Sequence, residues 1–203
     1  MKKAIKRVGI CLILVCAICL WGLVKDRTQL QHGLVRLHVV AASDSDRDQA
    51  LKLRVRDVVT ESLREELANL TDPEAAVSYI RENLPRLEAL ATRALREAGC
   101  EDPVRVSLES EEFSKRIYDT FSLPSGIYRS LRIVIGEGDG QNWWCVVYPS
   151  FCFPESAEEV AEAAVCAGLS EELAGAITGK EEYEIRFFLL DLLGRLQNLL
   201  NRG

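Results

Sequence analysis

Five side chains able to do chemistry crowd into one short run of this 203-residue chain: His38, Ser43, Asp44, Asp46 and Asp48. A histidine, a hydroxyl and a carboxylate are the parts of a base, nucleophile and orienter, so His38, Ser43 and Asp44 can be assembled on paper into an exported hydrolase. That constellation is defined by positions in space, however, and no GxSxG elbow frames the serine. A histidine on a strand that faces its own acidic turn reads better as a hydrogen-bonding strut. Asp44, Asp46 and Asp48 also have the spacing that opens a calcium loop. The sixth position is Gln49 rather than glycine and the twelfth is Val55 rather than glutamate, so that loop cannot close. Neither of the two histidines has a second ligand at HExxH or CxxC spacing, which argues against zinc. No metal and no cofactor is expected.

Capping is the plainer use of the acidic run. Several oxygens there can accept from the unpaired N–H groups of a helix's first turn, Asp46 and Gln49 approximate a capping box, and the carboxylates suit the positive end of the helix dipole. A second stretch, Gly136, Gly138 and Gly140, invites a phosphate-loop reading. It leads into Trp143 to Val147, a strand rather than a helix, so a hairpin turn is expected instead.

The elements that must position these residues follow from periodicity. Leu34 to Val40 is a strand. Leu51, Val55, Val58, Val59, Leu63 and Leu67 recur at helical spacing from Asp46 to about Ala68. Asp72 and Pro73 start a second helical region that runs to Ala98, which Pro85 should kink or split, with Gly99 as its stop. Val104, Val106 and Leu108 alternate as a strand, a polar loop containing Phe113 and Ile117 follows, and further strands cover Ile127 to Ile135 and Trp143 to Tyr148. Trp143 and Trp144 must then face opposite sides of the sheet. Beyond Phe153 the chain turns acidic and helical, with capping boxes at Ser156/Glu159 and Thr178/Glu181 and a last helix from Glu181 to about Asn201. That helix is apolar over a wide face, which needs its own sheet, a partner helix or a membrane to cover it.

The fold expected is a single α+β domain with a small antiparallel or mixed sheet covered by helices, an N-terminal membrane-targeting segment and a helical C-terminal tail. Residues 1–25 are the targeting segment, 26–33 an exposed linker, 34–154 the α+β domain, and 155–203 an acidic helical segment. Val8 to Val24 is an uninterrupted apolar run preceded by Lys2, Lys3, Lys6 and Arg7. Its length lies between a signal-peptide core and a spanning helix, and the basic flank keeps the N-terminus cytoplasmic, so the body is exported either way. Membrane contact is expected only through residues 8–24. Because the first 25 residues carry five bases and no acid, the other 20 bases face all 31 acids, a formal charge of −11. A body that acidic is a poor binder of nucleic acid or anionic lipid.

The run HVVAASDSDRDQALKLRVRD, with His38, Ser43, Asp44, Asp48, Gln49, Leu51, Lys52, Val55, Arg56 and Asp57 in register, resembles the signature of the stage II sporulation protein R family. Leu123, Pro124, Gly126, Tyr128 and Leu131, leading through GEGDGQNWWCVVYPSFCF, resemble that family's second hallmark. The chain departs from it at Tyr148 and Ser150, where a phenylalanine and a second proline are commoner, and the segment after Phe153 has little support from the likeness. The resemblance implies a protein made in the forespore and exported into the space between the forespore and mother-cell membranes. There it would activate a membrane-bound aspartic protease that removes the pro-sequence of a mother-cell sigma factor. It implies no enzyme in this chain. The partner-binding surface it suggests comprises His38, Ser43, Asp44, Asp48, Gln49 and Lys52, and a purely structural envelope role is the remaining alternative.

Export gives meaning to Cys100, Cys145, Cys152 and Cys166, which allow three pairings. Cys145 with Cys152 is the expected disulfide, since both lie in the second family block and Pro149 offers a turn between them. Closing so short a loop contributes about 2 to 3 kcal/mol. Cys100 with Cys166 is the remainder, with buried free thiols as the alternative.

Overall fold

The computed structural model describes residues 2–201, with the side chains of residues 2–6, 8 and 182 left out. The side chains of Lys2, Lys3 and Lys6 of the basic flank, and the whole of Met1, Arg202 and Gly203 at the ends of the expected segments, therefore lie outside the description. Helix α1 spans Lys2–Gly33 and passes at once into strand β1, Val35–Val40. Its stretch Gly9–Gly33 is long and apolar enough to cross a membrane, and residues 10–21 lie exposed, as a signal or anchor would.

The segment 26–33 is not the exposed linker that its polar composition suggests. It continues α1, with Asp26 and Leu30 buried. Leu30 packs into a core cluster, and both carboxylate oxygens of Asp26 accept from Arg186, at 2.7 and 2.9 Å. A bidentate pair of this kind orders what five consecutive hydrophilic residues would otherwise leave as coil.

After β1 come α2 (Asp46–Ala68), α3 (Pro73–Glu82) and α4 (Leu84–Glu97). Proline 85 does split the second helical region, and Gly99 ends it at φ 70°. Then follow β2 (Val104–Phe113), the short pair β3 (Arg116–Ile117) and β4 (Ser122–Leu123), β5 (Gly126–Ile135) and β6 (Asn142–Tyr148). Phe113, expected in a polar loop, ends β2 and is buried. The C-terminal part comprises α5 (Ala157–Cys166), α6 (Glu171–Ile177), a 3-10 turn at Glu181–Tyr183 and α7 (Glu184–Asn201). Ser156 caps α5 as expected, by accepting from the Glu159 amide. Thr178 caps nothing forward: its hydroxyl bonds back to Ala174 O, and Ser170 caps α6 instead.

The main sheet has the order β2-β5-β1-β6. Strand β1 runs parallel to β5 and antiparallel to β6, and β2 is antiparallel to β5, so the sheet is mixed. Glycines 136–140 therefore do not form a hairpin. Strands β5 and β6 are separated by β1, and the connection between them crosses the end of that strand.

Alternation along β1 divides the interior. Val35, Leu37 and Val39 join Leu51, Val55, Val59, Leu63, Leu87 and Leu95 from α2 and α4 in one core. On the other face, Leu34 joins Leu30, Phe113, Tyr128, Phe151, Leu173 and Leu190 in a second. Arg36 shares that second face, fully buried, with its guanidinium 3.9 Å from the Phe113 ring and donating to Tyr118 Oη at 3.0 Å. Burial lowers its pKa, while the Tyr118 and Tyr128 rings oppose that shift.

Helix α7 docks by an unexpected face. Asp191, Gly194 and Asn198 turn inward with Leu190. Asp191 accepts from the Ser125 amide at 2.9 Å and from Arg195 at 2.7 Å, while Asn198 donates to Phe113 O at 3.0 Å. Gly194 lies so close to the Ser125 carbonyl that a Cβ there would overlap it. The leucines that seemed destined for the sheet face outward.

Burial acts against the Asp191 carboxylate, but the Ser125 hydrogen bonds and Arg195 hold its pKa below the usual value. A depressed carboxylate stabilises fully above its unfolded pKa of about 3.9 and loses that contribution as pH falls through the lower folded value. Acid should thus loosen α7, and Asp191→Asn should flatten this part of the stability profile, measured by urea unfolding from pH 6 downward.

Candidate functional site

The crossing of β1 by the 136–141 connection brings the two sequence blocks together. Residue Gly140 donates to Ala41 O at 3.0 Å, and its Cα faces the Ser43 carbonyl so closely that a Cβ would collide with that carbonyl. Gln141 N donates to Asp44 Oδ1 at 2.7 Å. Ser43 Oγ donates to Asp48 Oδ2 at 2.5 Å, and Gln49 Nε2 donates to Ser43 O at 2.9 Å. Lys52 is buried and reaches Gln49 Oε1 at 2.5 Å and Gln141 O at 3.0 Å. Its burial lowers the ammonium pKa, against the opposing charge of Asp44.

Five of the six residues expected on a partner surface, Ser43, Asp44, Asp48, Gln49 and Lys52, thus form one hydrogen-bonded joint. Lys52 and Gln49 do structural work there, tying the helix start to the glycine connection. The helix cap is Ser45, whose hydroxyl accepts from the Asp48 amide at 3.1 Å; Asp46 is already in the first turn. What faces outward is mainly acidic: Asp44, Asp46, Glu137 and Asp139 are exposed, with Arg47 beside them.

His38 stands apart from the joint, on the second face of the sheet. Its Nδ1 lies 3.0 Å from Glu111 Oε1 and its Nε2 2.7 Å from Asn142 Oδ1, while its ring stacks on Trp144 with centroids 5.6 Å apart. Both ring nitrogens thus point at oxygens, and the histidine is a strut between β2 and β6. Burial opposes ionisation of Glu111, but the His38 hydrogen bond and the Arg132 charge hold its pKa below the usual carboxylate value. Arg116 also lies over the Trp144 ring, at 3.7 Å, and Trp143, on the opposite face of the sheet as alternation requires, carries Arg56 at 4.3 Å. His38, Ser43 and Asp44 are not assembled for nucleophilic catalysis, because the Ser43 hydroxyl is bonded to Asp48 and the imidazole to Glu111 and Asn142. Among the described residues, no group of three or more His, Cys, Asp or Glu side chains is placed to hold a metal ion.

Sequence reading missed Glu111, Gln141 and Asn142. Gln141 and Asn142 lie within the second block and could have been singled out there. Glu111 carries no local signal, since it lies 73 positions from His38 and the pairing of β1 and β2 on either side of β5 puts the two on one sheet face.

Cys145 and Cys152 form the expected disulfide, with Cα atoms 5.0 Å apart. It ties β6 to the segment after it and fits an extracytoplasmic location. Cys100 and Cys166 do not pair: Cys100 is buried with its thiol on Asp102 at 3.3 Å, and Cys166 is exposed. A groove of about 920 Å³ lies elsewhere, where α1 passes Pro73 and Leu169.

Residues 31–158 match the family model described as stage II sporulation protein R. The chain is also similar to stage II sporulation protein R of Bacillus subtilis (strain 168), with 29% identity over 223 aligned positions, covering 97% of this chain and 99% of the relative. No solved structure matches. The matched span begins within the buried end of α1 and contains both halves of the joint.

The Gly140 contact makes the joint testable. Gly140→Ala should cost roughly 1 to 3 kcal/mol, the usual penalty of forcing extra volume into a packed site. Amide exchange at Gly140 and Gln141 should quicken more than in α2 and α4, measured by hydrogen exchange with urea unfolding alongside. Unchanged exchange at both amides would show that the connection is not held there.

Proposed function

This chain belongs to the stage II sporulation protein R family, and from that premise we propose that it is an exported sporulation signal rather than an enzyme. In this reading it crosses the forespore membrane into the space between the two membranes. There it binds the extracytoplasmic part of a membrane-bound aspartic protease of the mother cell and shifts it toward its active state. The protease then removes the pro-sequence of a sigma factor.

One observation carries the reading: the two family blocks converge on a single rigid joint with an acidic outer edge, and not on a catalytic constellation. A body that acts by binding needs a preorganised surface, and hydrogen bonds among Ser43, Asp44, Asp48, Gln49, Lys52 and Gln141 supply the rigidity. We place the protease contact on Ser43, Asp44 and Asp48, with Gln49 and Lys52 as positioning residues behind them and His38 on the adjoining sheet face. The joint lies at the end of β1 opposite to the one that α1 feeds. Six residues of strand separate the two, about 20 Å at the usual rise. The binding surface is thereby held away from the apolar helix.

The test is co-expression of the full chain with its cognate membrane protease and pro-sigma factor in a non-sporulating host, with cleavage followed by immunoblot. Processing should appear only when this chain reaches the outer face of the membrane. Absence of processing with all three proteins present and folded would overturn the reading. A folded His38→Ala variant separates the rival: lost protease binding supports a contact surface, whereas retained binding with abolished processing supports hydrolytic chemistry.

A further inference from the structure

Helix α7 carries a second sequence pattern that its docking leaves unused. Ile185, Leu189, Leu192, Leu196 and Leu199 recur at intervals of four and three, the a/d repeat of a coiled-coil seam, flanked by Phe188, Leu193 and Leu200. The body occupies the opposite side of the helix through Leu190, Asp191, Gly194 and Asn198. Ile185, Phe188, Leu192, Leu196, Leu199 and Leu200 are between 43% and 83% exposed.

We propose that this seam pairs with the α7 seam of a second copy of the chain. The area is adequate: six such side chains leave on the order of 700 Å² of apolar surface per copy, against the roughly 800 Å² per partner of a standard interface. The heptad spacing specifies a helix as the occupant, and a seam of this kind is its own complement about a two-fold axis. Charge argues against a lipid surface. A helix that lies on anionic lipid sets free Lys or Arg along its flanks, whereas Arg186 is bound to Asp26 and Arg195 to Asp191. Gln31 on α1 also bonds Gln197, so α7 is fixed to the helix that carries the chain's membrane segment. Two copies held in one membrane by α1 would meet at high effective concentration.

The experiment is sedimentation of the full chain in density-matched detergent micelles. The wild type should be a dimer or a larger assembly. Leu192→Glu with Leu199→Glu should weaken self-association roughly 30-fold or more, as removal of interface anchors does. Circular dichroism and the melting temperature should stay at the wild-type values, because both positions face solvent in the single chain. Phe188→Lys repeats the test nearer the other end of the seam. A monomeric wild type overturns the proposal, whether or not the chain binds vesicles. Unaltered association in the folded double variant also overturns it, by placing the contact on α1 or elsewhere.

Discussion

Placement of β1 between β5 and β6 is the constraint on which the rest of the molecule depends. A connection from β5 to β6 then cannot turn back as a hairpin; it has to pass over the end of the strand that separates them. At that crossing two backbones come closer than any side chain would allow, which fixes glycine at position 140. The acceptors and donors exposed by the crossing must be satisfied, and the start of α2 supplies them: Asp44 for the Gln141 amide and Lys52 for the Gln141 carbonyl. The polar character of the first block is thus a consequence of topology before it is a property of any surface.

The same central strand explains the two cores. Side chains of β1 alternate between an all-apolar layer under α2 and α4 and a mixed layer in which Arg36 and His38 sit among aromatic rings. Arginine 36 packs against the Phe113 and Tyr128 rings and donates to the Tyr118 hydroxyl. A buried guanidinium is costly unless its surroundings are polarisable and ordered, and the ring faces meet that need.

Most local signals in the sequence held, the Thr178/Glu181 box being an exception, and non-local ones were silent. Helix α2 from Asp46 to Ala68, the division of α3 from α4, the stop at Gly99, the cap at Ser156 and the Cys145–Cys152 bridge were all legible, because each rests on residues close together in the chain. The crossover was not, since glycines between two strands look the same whether the strands pair or not. Burial of Asp26 and Leu30 depended on Arg186 and the second core, far away in sequence. Lys52 looked like a surface residue because a lysine side chain says nothing about a carbonyl waiting 89 positions later. The convergence of the two blocks was therefore not readable, and the division of the candidate residues into exposed and supporting ones required the fold.

Helix α7 shows the limit most clearly. Its leucines predict a buried stripe, and amphipathic logic assigns that stripe to the protein's own core. The fold instead buries a carboxylate, an amide and a glycine, because the backbone of Ser125 and the carbonyl of Phe113 need partners there and because only glycine lets the helix approach. Satisfying those groups contributes to the choice of face: an unpaired buried amide or carbonyl costs about as much as burying one leucine gains. The helix therefore turned its polar side inward and kept a leucine seam outside. The heptad on the face that the domain leaves open is what the proposed pairing with a second copy would use.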